Sequence, residues 1–162
     1  MFVLTVYVSP LCIQVMLWDT GGLERYDSMT ANYYRNAHAV ILVYDMTDED
    51  SLIRLNEWVA EARRNSRWAE RLVIALWGNK CDLKNGITVK DDTVAAFMDK
   101  HAIDSKLEAK VSSKKQGSIE EAMRVLVKHV DARFLGNGHD SSNRDISLLT
   151  DDGRTKKGCC DR

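Results

Sequence analysis

Residues 72–82 read LVIALWGNKCD, and this stretch decides the fold. Its first six residues are all apolar, which is typical of a strand that is buried on both faces of a sheet. Gly78 closes the apolar run, and the polar residues Asn79-Lys80-Cys81-Asp82 follow at once. In open α/β sheets, ligands bind at the carboxyl ends of the strands. The stretch therefore predicts a parallel strand that ends in a ligand-binding loop.

Strands and helices are predicted to alternate on both sides of this stretch. Residues 39–44 form a second continuous apolar run, which ends at Asp45. Such alternation predicts an α/β fold, a mostly parallel sheet with helices on both faces. The other predicted elements are a hairpin of strands 2–8 and 11–18 around Ser9-Pro10, a short helix over 24–37, a helix with apolar residues at 52, 55, 58, 59 and 62, a helix around Val94 to Met98, a strand over 106–111, and a helix that Ser118 and Glu121 open as a capping box.

Composition limits the classes of protein to which the chain can belong. Its 162 residues suit one domain, which we place at residues 1–135, followed by a flexible tail at residues 136–162. The net charge of −1 gives no overall attraction to nucleic acid, and no apolar run is long enough to span a bilayer. The cysteines show no CxxC spacing, which suits a reducing compartment such as the cytoplasm.

The chemistry of Asn79, Lys80 and Asp82 favours recognition of a guanine base. A carboxylate at Asp82 can accept two parallel hydrogen bonds from the N1–H and the exocyclic amine of guanine, which adenine cannot offer. Asn79 can serve both the base and a neighbouring loop, and the stem of Lys80 can lie over the ring. The alternative is an ordinary polar turn between a strand and a helix, and the position after a buried strand favours the binding site.

Two further loops carry weaker signals. Ser112-Ser113-Lys114 follows the next predicted strand, and its backbone N–H groups could meet the guanine carbonyl oxygen; alone, it reads equally well as a surface turn. In Asp19-Thr20-Gly21-Gly22, the N–H of Gly22 could bind a terminal phosphate, and Asp19 could hold Mg²⁺ through water. By itself this second loop reads as a glycine-rich β-turn.

Taken together, in this order and spacing, the motifs resemble the Ras superfamily, and its Rab branch most closely. The segment WDTGGLERY at residues 18–26 is similar to the WDTAGQERY of Rab switch II. The match extends over roughly residues 3 to 134 and includes Tyr33-Tyr34-Arg35 and the loops at 78–83 and 112–114. The terminal Cys159-Cys160-Asp161-Arg162 resembles the CCxx ending of Rab tails, in which both cysteines receive geranylgeranyl chains.

The resemblance implies a P-loop-NTPase-like fold and a membrane-anchored switch in vesicle traffic. Its ligands would be GTP or GDP with Mg²⁺, and it would lie on the cytosolic face of membranes through lipids at Cys159 and Cys160. The implied partners are Rab effectors, the regulators of the family (exchange factors, GTPase-activating proteins and GDI), and Rab escort protein with geranylgeranyl transferase.

The chain departs from the family pattern in two ways that concern catalysis and binding. No GxxxxGK[ST] occurs in the 162 residues, so relative to the family we expect the first strand, the phosphate loop, the first helix and switch I to be missing. Leu23 stands where the family has its water-orienting glutamine, and leucine cannot hydrogen-bond to water. Residues 1–8 could occupy the slot of the first strand, but a hairpin connection argues against this.

These departures leave three hypotheses about function. The first is a Rab-like protein with weak GTP binding and little hydrolysis, so that GTPase activity is left undecided. The second is a non-cycling binding module, or decoy, for effectors or the prenylation machinery. The third is a truncated product that does not fold alone.

Overall fold

The computed structural model describes residues 2–8, 11–18, 33–134 and 146–148, with side chains at 15–18 and 33–134. The strands are β1 (Phe2–Val8), β2 (Leu11–Leu17), β3 (Ala39–Asp45), β4 (Val73–Asn79), β5 (Glu108–Lys110) and β6 (Ile146–Leu148). The helices are α1 (Glu49–Asn65), α2 (Asp91–Lys100) and α3 (Gln116–Phe134), with a 3₁₀ turn at Ser105–Leu107.

The predicted parallel sheet is present in the order β3-β4-β5. In its register Ala39 lies opposite Val73, Asp45 opposite Asn79, and Gly78 opposite Lys110. All three strands therefore end at one edge of the sheet, at the loops in which the sequence predicts a site.

Alternate residues of β4 separate the two faces of the core. Ile74 and Leu76 face α1 and α2, whereas Val73, Ala75 and Trp77 face α3. This explains why the whole strand is apolar, and it confirms the predicted sheet with helices on both faces. The predicted helical positions Leu52, Leu55, Val59 and Ala62 are all buried on α1.

The predicted hairpin is also confirmed, but it belongs to a second sheet. β1 pairs antiparallel with β2 along its whole length, from Phe2 opposite Leu17 to Val8 opposite Leu11. The other edge of β1 pairs with β6, so the sheet order is β2-β1-β6. In the part of the chain that the structure describes, β1 pairs with no strand of the parallel sheet and does not take the slot beside β3. Val15 and Leu17 of β2 instead pack against the core on the α3 side.

Three sequence predictions differ in detail from the structure. The strand expected over 106–111 is limited to Glu108–Lys110, because Ser105–Leu107 forms a 3₁₀ turn. The last helix begins at Gln116, so Ser118 lies within its first turn and is not its cap. The hydroxyl of Ser118 is used elsewhere, as described below. The predicted tail lies outside the described residues except for β6, a strand that the polar composition of 136–162 did not indicate.

Gly78 allows the core to close beneath the site. A Cβ atom at this position would lie 2.7 Å from Tyr44 Oη and 2.9 Å from Met46 Cγ, closer than real Cβ atoms approach. Tyr44 and Met46 are both buried, so neither side chain has space to move aside. Glycine is thus required by packing at the point where β4 delivers Asn79 to the site.

Candidate functional site

The candidate site consists of two loops at the carboxyl edge of the parallel sheet. Residues 79–82 follow β4 and residues 112–114 follow β5, and we call these loops together the base-reading edge, after the guanine recognition that the sequence predicts. Two backbone hydrogen bonds continue the pairing of β4 and β5 into the loops, from Val111 N–H to Gly78 O at 2.8 Å and from Cys81 N–H to Val111 O at 3.1 Å. The two loops are therefore held side by side by main-chain contacts.

The chain turns sharply at Lys80 to form the first loop. Lys80 has φ of 68°, in the left-handed region that non-glycine residues seldom adopt. The Leu83 N–H donates to Lys80 O at 3.0 Å, which closes the turn that follows. Such a backbone persists where surrounding contacts fix it, and it is frequent at ligand sites.

Asn79 links the two loops, as the sequence analysis predicted. Its Oδ1 accepts from the Ser113 N–H at 3.0 Å, and its Nδ2 lies 3.5 Å from Ser113 Oγ. The amide side chain thus sets the distance between residues that are 34 positions apart in the chain.

Asp82 is held in one orientation by Ser112. The fully buried Ser112 hydroxyl donates to Asp82 Oδ1 at 2.6 Å, and it accepts the Lys114 N–H at 3.3 Å. Asp82 Oδ2 lies 3.7 Å from the exposed Lys114 Nζ. The Ser112 hydrogen bond lowers the pKa of the Asp82 carboxyl below its usual value, and a backbone hydrogen bond and the nearby Lys114 and Lys115 add to this effect. Asp82 is therefore an ionised, oriented acceptor at neutral pH.

Ser118 connects this loop to the first turn of α3. Its Oγ accepts the Ser112 N–H at 3.1 Å and donates to Lys115 O at 2.8 Å. The residue read from the sequence as a helix cap is thus a tether between the helix and the base-reading edge. The sequence could not show this, because a serine near a helix start satisfies either role.

Asp45, at the end of β3, is the site residue that the sequence analysis did not assign. Its Oδ1 accepts from Thr47 N–H at 2.9 Å and from Thr47 Oγ1 at 2.7 Å, and its Oδ2 lies 2.5 Å from Lys80 Nζ. The hydrogen bonds from Lys80 and Thr47 lower the pKa of Asp45 to about 2, and Asp45 in turn raises the pKa of Lys80. The available signal was positional, since Asp45 ends a strand that neighbours β4.

Several predicted site residues lie outside the described residues. These are Asp19 and Gly22, expected at the phosphate and Mg²⁺, together with Leu23 and the predicted lipid sites Cys159 and Cys160. Within the described ranges, no group of three or more acidic, histidine or cysteine side chains could hold a metal ion. No helix in that same part of the chain is long and apolar enough to cross a bilayer.

The side chains that are present fit a guanine base. An ionised carboxylate offers only acceptors, and guanine presents two adjacent N–H donors on its N1 and C2 edge. The exposed Lys80 stem and the Asn79 amide border the same edge of the sheet as Asp82. The acceptors of an ionised Asp82 thus match the donors of guanine and not the corresponding edge of adenine.

Comparisons with known proteins agree with this geometry. The family model described as "Ras family" matches residues 2–132. The chain is also 30% identical over 150 residues to the Ras-related protein RABD2a of Arabidopsis thaliana, an alignment that covers 91% of this chain and 71% of that protein. Membership of this family implies guanine nucleotide and Mg²⁺ as ligands in general. The chain belongs to the Ras family of small GTPases and is Rab-like within it.

Proposed function

We propose that this protein binds guanine nucleotides through the base-reading edge and acts as a Rab-like switch in vesicle traffic. The observation that carries the proposal is the ionised Asp82 carboxylate, which Ser112 fixes beside a loop that Asn79 holds in place. Two fixed loops and one fixed acceptor are what a base-specific pocket requires, because ligand affinity falls when the site must be ordered on binding.

Phosphate binding and hydrolysis are the weak points of this switch. The 162 residues contain no GxxxxGK[ST]. In the family, backbone N–H groups of that phosphate loop supply much of the affinity for the nucleotide. Leu23, at the position of the water-orienting glutamine, has no hydrogen-bonding group. We therefore propose weak nucleotide binding and very slow hydrolysis in the 162-residue chain. A sub-micromolar dissociation constant for GTP together with measurable turnover would contradict this part.

A base-swap experiment tests the base-reading edge independently of affinity. Asp82→Asn replaces one acceptor by an N–H donor, which suits the C2 carbonyl of xanthine and not the C2 amine of guanine. Titrations followed by NMR should show that the wild type prefers GDP to ADP and XDP, and that Asp82→Asn prefers XDP. Asp99→Asn, on the exposed surface of α2, is the matched control and should keep the guanine preference. Equal binding of GDP and ADP by the wild type would refute the proposal.

Membrane attachment is proposed through lipids at Cys159 and Cys160. A single lipid chain anchors a protein only marginally, so two adjacent cysteines suit a durable anchor. Incubation with geranylgeranyl transferase, escort protein and geranylgeranyl diphosphate should add two lipids by mass spectrometry, and Cys159→Ser with Cys160→Ser should add none. Cys81→Ser, which changes the half-buried cysteine of the site, is the control and should still take two lipids.

Leu23 and the missing GxxxxGK[ST] favour a second candidate, a non-cycling module that binds effectors or prenylation machinery. Such a module would capture its partners equally well in GDP and in a GTP analogue. Partner capture that depends strictly on the γ-phosphate would reject this candidate and favour the switch.

A further inference from the structure

The amino-terminal end of the parallel sheet carries a cluster of six exposed arginines that the nucleotide site does not use. We call this cluster the arginine end. Its members come from four separate parts of the chain: the segment before β3, the last turn of α1, the loop before β4 and the last turn of α3. They are Arg35, Arg63, Arg64, Arg67, Arg71 and Arg133.

Contacts between these parts place them side by side. The Arg67 N–H donates to Arg35 O at 3.3 Å, and Arg71 Nη2 donates to Arg133 O. Arg133 Nη2 in turn donates to Glu70 O at 2.8 Å. Arg63, whose guanidinium donates to His101 O, lines the same groove of about 470 Å³ as Arg133.

The side chains of these arginines have few partners in the part of the chain that the structure describes. Within the described residues, none of the six forms an ion pair, and their side-chain contacts are to backbone carbonyls or to ring faces. The guanidinium carbons of Arg67 and Arg71 lie 4.6 Å and 4.7 Å from the ring centroids of Trp68 and Phe134. Four acidic residues lie nearby: Glu61 is one turn before Arg64 on α1, Glu70 is exposed in the same loop, Asp104 is bonded to His129, and Asp131 is buried.

Fold topology explains how a chain with a net charge of −1 acquires such an end. Helices that connect parallel strands run opposite to them, so α1 and α2 start at the carboxyl edge and end at the amino edge. Acidic residues occupy their first turns, at 49–50 and 91–92, and basic residues their last turns, as favourable interaction with the helix dipole requires. The loop residues Arg67 and Arg71 add to this end without any helix-dipole reason.

We propose that the arginine end is a docking surface for an anionic lipid bilayer. Arginine binds phosphate and carboxylate groups well, and clustered basic residues are attracted to the negative surface of cytoplasmic leaflets. The half-buried rings of Trp68 and Phe134 pack against each other and support the guanidinium groups of Arg67 and Arg71 on their faces. The last turn of α3 lies at this end, and the chain continues from Phe134 toward Cys159 and Cys160. Docking would turn the base-reading edge away from the membrane, toward regulators in solution.

Vesicle sedimentation with the unmodified 162-residue chain tests the surface without lipidation or nucleotide. At low ionic strength, the chain should sediment with vesicles of phosphatidylcholine and phosphatidylserine, and not with phosphatidylcholine alone. Raising the salt to about 0.5 M should release it, because exposed charges are then screened within a few ångströms. Failure to bind the anionic vesicles, or equal binding to both kinds, would overturn the proposal.

Matched charge variants locate the interaction. Arg64→Gln with Arg67→Gln removes two charges that make no side-chain hydrogen bond to the backbone, so the fold should persist. The variant should lower partitioning into anionic vesicles about tenfold or more. Lys84→Gln with Lys90→Gln makes the same change of net charge near the carboxyl edge and should retain wild-type partitioning. Equal losses in both pairs would overturn the proposal, as would preferential binding of a soluble acidic peptide over vesicles by the same arginines. The result is independent of the proposed nucleotide site, which Asp82→Asn tests separately.

Discussion

Charged side chains at the two ends of the parallel sheet have different kinds of partner. At the base-reading edge, Asp82 is bonded to Ser112 and lies near Lys114, while Asp45 pairs with Lys80 at 2.5 Å. At the arginine end, guanidinium groups contact carbonyls and rings, and none of them forms an ion pair within the described ranges. Paired charges fix individual side chains and create specificity for one ligand. Unpaired charges create a field that acts on any anionic surface.

The largest expected effect comes from a substitution that disrupts the packing beneath the base-reading edge. Gly78→Ala places a Cβ against the buried Tyr44 and Met46, and should lower the free energy of unfolding by about 2 to 3 kcal/mol. Urea denaturation followed by circular dichroism measures this change. Gly117→Ala is the control, since a Cβ there meets nothing within 4 Å, and it should be neutral or slightly stabilising. Equal stability of Gly78→Ala and the wild type would show that the core at this edge is loosely packed.

The second prediction concerns the ion pair between Asp45 and Lys80 at the base-reading edge. Asp45→Asn should lower the free energy of unfolding by about 1 kcal/mol at neutral pH, because Lys80 loses its anionic partner. The folded pKa of Asp45 lies at about 2, below the unfolded value of about 4, so its contribution is full above pH 4 and is lost as the pH falls toward 2. The difference between wild type and variant should therefore shrink over that range.

Urea titrations at a series of pH values measure this difference. Glu57→Gln, on the exposed face of α1, is the charge-matched control and should change the free energy of unfolding at neutral pH by less than about 0.5 kcal/mol. If the wild type and Asp45→Asn differ in free energy of unfolding by a constant amount down to pH 2, the Asp45 carboxylate does not contribute through its pairing with Lys80.

The third prediction concerns the tether between α3 and the base-reading edge. Ser118→Ala leaves the Ser112 N–H without its acceptor and should cost about 1 kcal/mol of stability. Ser105→Ala, on the exposed 3₁₀ turn, is the control and should change the free energy of unfolding by less than about 0.5 kcal/mol. If the two variants unfold alike, water replaces the Ser118 hydroxyl and the tether is dispensable.

The smallest expected effect lies at the arginine end. Arg64→Gln should change the free energy of unfolding by less than about 0.5 kcal/mol, because an unpaired exposed charge contributes little to the folded state. Thermal and urea unfolding at low and high salt measure this, with Lys84→Gln as the control. A loss above about 1 kcal/mol would mean that the arginines stabilise the fold, contrary to the contrast between the two ends.

Residue type and spacing predicted part of the site. Asn79 was expected to bond to a neighbouring loop and does so through Ser113, because the amide has both a donor and an acceptor and follows a buried strand. The sequence analysis did not assign Asp45 to the site, because an aspartate at the end of a strand does not indicate that it will pair with a lysine 35 residues away. Ser118 was read as a helix cap, because the sequence pattern of a capping box does not reveal which N–H group its hydroxyl will accept.

The amino-acid sequence by itself determined the Ras-family relationship and the parallel sheet, and it supplied the residues that are proposed to bind guanine. It could do so because these depend on local order: apolar runs, the polar residues that end them, and the distance between motifs along the chain. Tertiary structure alone decided that Asp45 pairs with Lys80, that β1 also pairs with β6, and that six arginines lie at one end of the sheet. These features depend on which distant segments of the chain come into contact. The net charge of −1 is a sum over all residues, so it does not show that basic residues gather at one end of the sheet.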